Sequence, residues 1–130
     1  MSIYISYILA NEELIVKGSR DRKRDIISVN DVVDAIVRSI DNEITYNKTY
    51  NLGSGKSLTI GKIINLLIQG LAENPQEYPV KYEQSTLGDP FETLADMSAI
   101  KMDLGWSPNL MPEEGIQKII ETYKQQNINK

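Results

Sequence analysis

Neither cysteine nor histidine occurs in the 130 residues. Their absence excludes disulfides, zinc sites of the Cys/His kind, thiol nucleophiles and every acid/base arrangement that uses an imidazole. It is compatible with the cytosol, where disulfides are rare, and a cytoplasmic location is expected. Basic charge is the minority sign: 14 Lys and Arg stand against 18 Asp and Glu, a formal net charge of −4. Phosphate backbones are bound through net basic surfaces, so nucleic acid is not an expected partner. Long apolar runs are missing as well. The N-terminal stretch lacks a basic flank and is broken by Asn11, Glu12 and Glu13, and Ile63–Ile68 is interrupted by Asn65. No signal peptide and no membrane span is expected.

What is present is the composition of an ordinary globular domain, 41% apolar and 25% charged, at a length that suits one compact unit spanning residues 1–130. Glycines and prolines fall singly between patterned segments, as turns do in an α/β domain. Ile3, Tyr7 and Ile8 predict a helix leading into a strand at Leu14, Ile15 and Val16. The β-branched run Ile26–Val29 predicts a second strand, with Asn30 capping a helix that carries Val32, Val33, Ile36, Val37 and Ile40. Thr49–Leu52 is a third strand candidate, and Thr59 a cap for a helix whose residues Ile60, Ile63, Ile64, Leu67, Ile68 and Leu71 form one stripe. Tyr78–Tyr82 suits an edge strand because of Pro79. Asp96 begins a short helix ending at Gly105, and Pro112 opens the last one, with Glu113 and Glu114 at its positive end.

Three places invite a chemical reading. Tyr50 to Ser57 runs from strand to helix and ends in Gly-Lys-Ser, yet a P-loop needs glycine where Tyr50 stands, and a dinucleotide turn needs a small residue at Leu58. A structural turn is the expectation. Between Lys17 and Arg24 five basic residues, Lys17, Arg20, Arg22, Lys23 and Arg24, crowd one inter-strand loop. Such loops bind ligands in α/β proteins, and a guanidinium fork matches a diphosphate, although a solvated turn with its own Asp–Arg pairing remains open. Asp89, Glu92 and Asp96 read better as turn and cap residues than as a metal cluster. Trp106, between a helix-ending glycine and Pro108, is expected to pack the helix terminus.

These segments occur in a recognisable order. Gly18, then Arg24-Asp25 with Val29-Asn30-Asp31, then Tyr50-Asn51-Leu52-Gly53-Ser54-Gly55 with Leu58-Thr59-Ile60, resemble UDP-glucose 4-epimerases and sugar-nucleotide dehydratases. Gly88-Asp89, Ala95-Asp96, Leu104-Gly105-Trp106-Ser107-Pro108 and Glu113-Glu114-Gly115 continue the likeness, which runs from about Leu14 to Ile120. The resemblance implies the C-terminal, substrate-binding part of an extended short-chain dehydrogenase, a Rossmann-type α/β fold of short strands and amphipathic helices. It implies that Arg24 contacts the diphosphate of a nucleotide-sugar, that backbone at Ile15, Val16 and Lys17 borders the base, and that Asp89 belongs to the same site. The sequence departs from the family at Thr86, where many members carry arginine, and at Lys17, where an aromatic is frequent.

The family's glycine-rich NAD turn is not found, and none of the seven tyrosines has the family's lysine four residues on. No cofactor is therefore expected on this chain, with NAD held elsewhere in a full-length enzyme, and no turnover is expected of the chain alone. The alternative is a non-catalytic domain that binds a sugar nucleotide or another subunit. Apolar faces that pack on the family's cofactor domain, including part of the Val32 to Ile40 helix, predict a homodimer, with exchange of segments as one form.

Overall fold

The computed structural model describes residues 1–128. Helix α1 (Ser2–Leu9) leads to strand β1 (Leu14–Lys17), and strand β2 (Lys23–Asp25) leads to helix α2 (Val29–Ser39). A 3-10 turn at Glu43–Thr45 precedes strand β3 (Ser57–Thr59), helix α3 (Ile60–Leu71) and strand β4 (Val80–Glu83). Two helices, α4 (Ser98–Leu104) and α5 (Pro112–Ile128), complete the order. The mixed α/β class expected from the sequence is the observed one.

The strands form two separate pairs. β1 lies parallel to β4 with Leu14 opposite Val80 and Lys17 opposite Glu83. A parallel pair needs a long crossover, and here it contains β2, α2, β3 and α3. β2 runs antiparallel to β3, placing Arg24 opposite Leu58. Alternation along β1 sends Leu14 and Val16 inward, both with no exposed surface, and turns Lys17 outward.

The stripe on α3 folds as its spacing predicts. The Thr59 side chain accepts a hydrogen bond from the Lys62 amide at 3.1 Å, and Ile60, Ile63, Ile64, Leu67 and Ile68 are buried. They meet Ile5 and Ile8 of α1, Leu14 and Val16 of β1, and Ile116 and Ile120 of α5 in the main core. A second, smaller core gathers Ala35 of α2, Ile100 of α4 and Trp106. Trp106 packs at the end of α4, as expected, and its indole N–H donates to Asp34 at 3.1 Å. Buried Asp31 accepts from the Asn109 and Leu110 amides and ties α2 to the segment before α5.

Five expectations need correction. The strand is not Ile26–Val29 but Lys23–Asp25, because β3 supplies a ladder only there. Ile26 and Ile27 instead line a cavity of about 660 Å³ that also borders α5. The helix begins at Val29, and Ser28 rather than Asn30 caps it, its hydroxyl accepting from the Asn30 amide at 3.3 Å. Thr49–Leu52 pairs with no strand among the described residues, and Tyr50 and Leu52 pack against the second core. On α1 the inward residues are Ile5 and Ile8, while Ile3 is 61% exposed. Asp96 accepts from the Ser98 amide at 2.9 Å one position before the helix cap, Met97.

Candidate functional site

The basic loop between β1 and β2 is built around Arg22, which is 6% exposed despite its charge. Burial of a guanidinium requires partners on every side. Arg22 donates to the carbonyl oxygens of Lys17 and Ser19 and forms an ion pair with Asp89. The approach of Lys17 and Arg22 explains the glycine between them. A β-carbon on Gly18 would lie 2.5 Å from the Arg22 guanidinium carbon, and φ at Gly18 is 89°. Only a residue without a side chain fits that turn without strain.

Arg24, one strand step beyond, reaches the same carboxylate. Its Nη2 stands 2.5 Å from Asp89 Oδ1, and its Nη1 donates to the Lys23 carbonyl at 2.7 Å. The Arg24 side chain is 24% exposed, against 8% for Arg22, so Arg24 presents the cationic face of the pair to solvent. Sequence reasoning picked Arg24 and Asp89, and the fold brings them into contact. It gave Arg22 no part of its own; the signal was the glycine four residues before it.

The segment carrying Asp89 is held at both ends. The Gly18 amide donates to the Glu83 carbonyl at 2.8 Å, and the Lys23 amide donates to the Phe91 carbonyl at 2.8 Å. Between these ties residues 84–91 are exposed throughout, with Leu87 fully so. Ile15, Val16 and Lys17 lie on β1, whose edge away from β4 carries no paired strand among the described residues. Leu14 and Gly18 donate towards β4, so the alternating peptide groups of Ile15 and Lys17 face that other edge. The Lys17 carbonyl there is the one that Arg22 holds. The shelf thus combines a strand edge that carries no paired strand among the described residues with two guanidiniums, and the 660 Å³ cavity lies apart from it.

Asp25 closes the site from behind. Its carboxylate accepts from the Ser54 amide at 2.7 Å, the Ser54 hydroxyl at 2.5 Å, the Ala95 amide at 3.1 Å and the Gly55 amide at 3.3 Å. Burial alone pushes this carboxyl up, but the hydrogen bonds from Ser54, Ala95 and Gly55 outweigh it and hold it below its ordinary value. The glycine turn that imitates a phosphate loop therefore spends its amides on an internal anion. Lys56, which a phosphate loop would aim at its ligand, is 2.7 Å from Glu113. The turn is structural, and it does not fit NAD.

A tyrosine and a lysine do meet elsewhere. Tyr50 donates to Asp103 at 2.6 Å and Lys48 lies 2.7 Å from the same oxygen. Burial, followed by the bond to Asp103, pushes the Tyr50 phenol up to about 12. A catalytic tyrosine has to give up its proton readily, and this one is held against doing so. The three carboxylates considered as a cluster separate: Asp89 faces the arginines, Glu92 takes Lys23 and Ser57, and Asp96 takes Ser98. No helix among the described residues is long and apolar enough to cross a membrane.

Comparison with known proteins follows the same outline. A family model described as GDP-mannose 4,6 dehydratase matches residues 2–119. The dTDP-4-dehydro-6-deoxyglucose reductase of Escherichia coli is 28% identical over 129 residues, covering 94% of this chain and 37% of that protein. The crystal structure of UDP-glucose 4-epimerase with UDP-glucose from Thermotoga maritima superposes with a TM-score of 0.82 at 27% identity, over 96% of this chain and 39% of the epimerase. UDP-glucuronic acid 4-epimerase from Bacillus cereus, in complex with UDP-glucuronic acid and NAD, shares the fold with a TM-score of 0.81 at 22% identity, over 95% and 38% of the two chains. The chain thus spans well under half the length of these relatives.

Proposed function

The chain belongs to the GDP-mannose 4,6-dehydratase family of nucleotide-sugar epimerases and dehydratases, and from that premise we propose that it is the nucleotide-sugar-binding portion of such an enzyme. Residues 1–130 act as one substrate-binding unit, and a UDP-sugar is the favoured ligand. Arg24 holds the diphosphate, the backbone of Ile15, Val16 and Lys17 borders the base, and Asp89 belongs to the site through its contact with the arginine. The observation that carries this reading is the pairing of Arg22 and Arg24 beside the unpaired edge of β1. A guanidinium fork complements a diphosphate in charge and geometry, and peptide groups along a strand edge complement the hydrogen-bonding rim of a base.

NAD, held by the rest of the enzyme, supplies oxidation of a sugar hydroxyl and return of the hydride. This chain binds and orients the substrate and does no chemistry of its own, and a cytoplasmic location goes with that role. Calorimetric titration with UDP tests the reading. Binding is expected in the parent chain, with about a tenfold loss or more in Arg24→Met, the scale of one charge-assisted contact. Equal binding by parent and variant would remove Arg24 from the site.

A second reading, a subunit-interaction domain, has its own support in α2. Val29, Val33, Ile36, Val37 and Ile40 are 72%, 51%, 54%, 60% and 61% exposed. Their spacing puts all five on one face, an apolar stripe of roughly 500 Å², at the upper end of what monomers leave uncovered. A homodimer, by face-to-face packing or exchange of segments, buries it.

A further inference from the structure

The apolar face of α2 is bounded by a hollow at each end. Val29, Val33, Ile36, Val37 and Ile40 are all more than half exposed, whereas helical spacing puts Asp31, Asp34 and Arg38 on the other side of the helix. At the N-terminal end Val29 borders the cavity of about 660 Å³, whose other walls include Ile26, Ile27, Leu110 and Ile119. At the C-terminal end Ile36 and Ile40 border a second cleft of about 320 Å³, with Ala35, Leu52 and Ile100 among its other walls. Val29 and Ile40 each belong both to the ridge and to a hollow, which makes the surface continuous. Its size points to a second copy of the chain as the occupant. The stripe exposes roughly 500 Å² on one copy, so two copies face to face bury roughly 1,000 Å², the least that a specific interface needs.

The hollows decide the orientation. With the two helices parallel, Val29 meets Val29 and Ile40 meets Ile40, ridge on ridge, and the hollows face each other unfilled. With the helices antiparallel, Ile40 of one copy arrives at Val29 of the other, at the mouth of the larger cavity, and Val29 arrives at Ile40, above the smaller cleft. Knobs then meet holes at both ends, as close packing requires. The antiparallel arrangement also sets the positive end of each helix dipole beside the negative end of its neighbour. We infer that two copies of this chain associate through antiparallel α2 helices about a two-fold axis, each seating Ile40 in the 660 Å³ cavity of the other. The inference rests on the reading of α2 as a subunit interface and is independent of the diphosphate assignment of Arg24.

The test exploits the absence of cysteine from the parent chain. Val29 and Ile40 lie about 16 Å apart along one helix, and a disulfide needs Cα atoms within about 7 Å of each other. Antiparallel packing therefore predicts that the double variant Val29→Cys/Ile40→Cys forms a covalent dimer under mild oxidation, whereas the single variants Val29→Cys and Ile40→Cys do not. Cross-linking of either single variant with itself would show parallel helices and overturn the inference. A parent that sediments as a dimer while the double variant fails to cross-link overturns the arrangement and leaves α2 as an interface. A parent that sediments only as monomer overturns both. Seating of Ile40 has its own measurement. Ile40→Ala should weaken dimerisation about tenfold or more in sedimentation, because each dimer loses two buried side chains. Dimerisation of Ile40→Ala as tight as the parent's overturns the seating.

Discussion

Replacing Asp25 with alanine removes the acceptor of four hydrogen bonds that tie β2 to the turn at Ser54–Gly55 and to the segment at Ala95. The cost follows from what each donor does afterwards. Gly55 is exposed and turns to water, and the Ser54 hydroxyl keeps the Lys56 carbonyl at 2.9 Å. The amides of Ser54, which is 5% exposed, and of half-buried Ala95 are left without partners. An unsatisfied buried donor costs about 1–3 kcal/mol, so two cost roughly 2–6, centred near 4 kcal/mol. With a urea slope on the order of 1–3 kcal/mol/M, the unfolding midpoint of Asp25→Ala should fall by about 2 M. Asp25→Asn keeps one carbonyl for Ser54 but turns an NH₂ towards the Ala95 and Gly55 amides, and should fall between.

Acid unfolding adds a check of sign. The Asp25 carboxyl titrates below its ordinary value in the folded chain, so its contribution is present above that ordinary value and is lost as pH falls through the folded one. The parent should lose stability in that window and Asp25→Ala should lose less. A midpoint for Asp25→Ala within about 0.3 M of the parent would refute the account of Asp25 as a hub.

Further outcomes follow from other positions. Gly18→Ala forces a side chain into φ 89° against the Arg22 guanidinium and should cost about 1–3 kcal/mol in thermal unfolding. Leu67→Ala, at a position with no exposed surface between α1 and α5, should cost about 2–5 kcal/mol in the same measurement. Glu113, held to about 2 by the Lys56 and Lys62 ammonium groups, contributes stability that is lost as pH falls from its ordinary 4.5 through about 2. Glu113→Gln should lack that acid dependence in a pH series of melting temperatures. Sedimentation of the parent at micromolar concentration should show a dimer, and Val37→Asp on the exposed face of α2 should shift it to monomer. A parent that sediments only as monomer would contradict the interface assigned to α2.

Elements whose signal is local were legible in the sequence. The α3 stripe, its Thr59 cap, Pro112 at the start of α5 and Gly105 at the end of α4, φ 59°, all stand where residue type and spacing put them. Strand positions were less legible, because a strand is defined by its neighbour. Ile26 and Ile27 have the right residue types, but the ladder that β3 offers lies at Lys23–Asp25. Propensity is silent on partners. At the site the family resemblance singled out Arg24 and Asp89 separately, whereas their contact across 65 residues of separation is one that no local pattern encodes. Buried Arg22 and the convergence of Ser54, Gly55 and Ala95 on Asp25 depend on tertiary approach, and the sequence held only Gly18 and Gly53 as traces of it.

The measurement that bears most directly on the central claim is a calorimetric titration of the unmodified chain and of Arg24→Met with UDP-glucose at low and moderate salt. The account predicts saturable binding by the parent, weakened by salt, and a loss of about tenfold or more in the variant. No binding by the parent, or equal binding by both proteins, would contradict the assignment of this shelf to a nucleotide-sugar diphosphate.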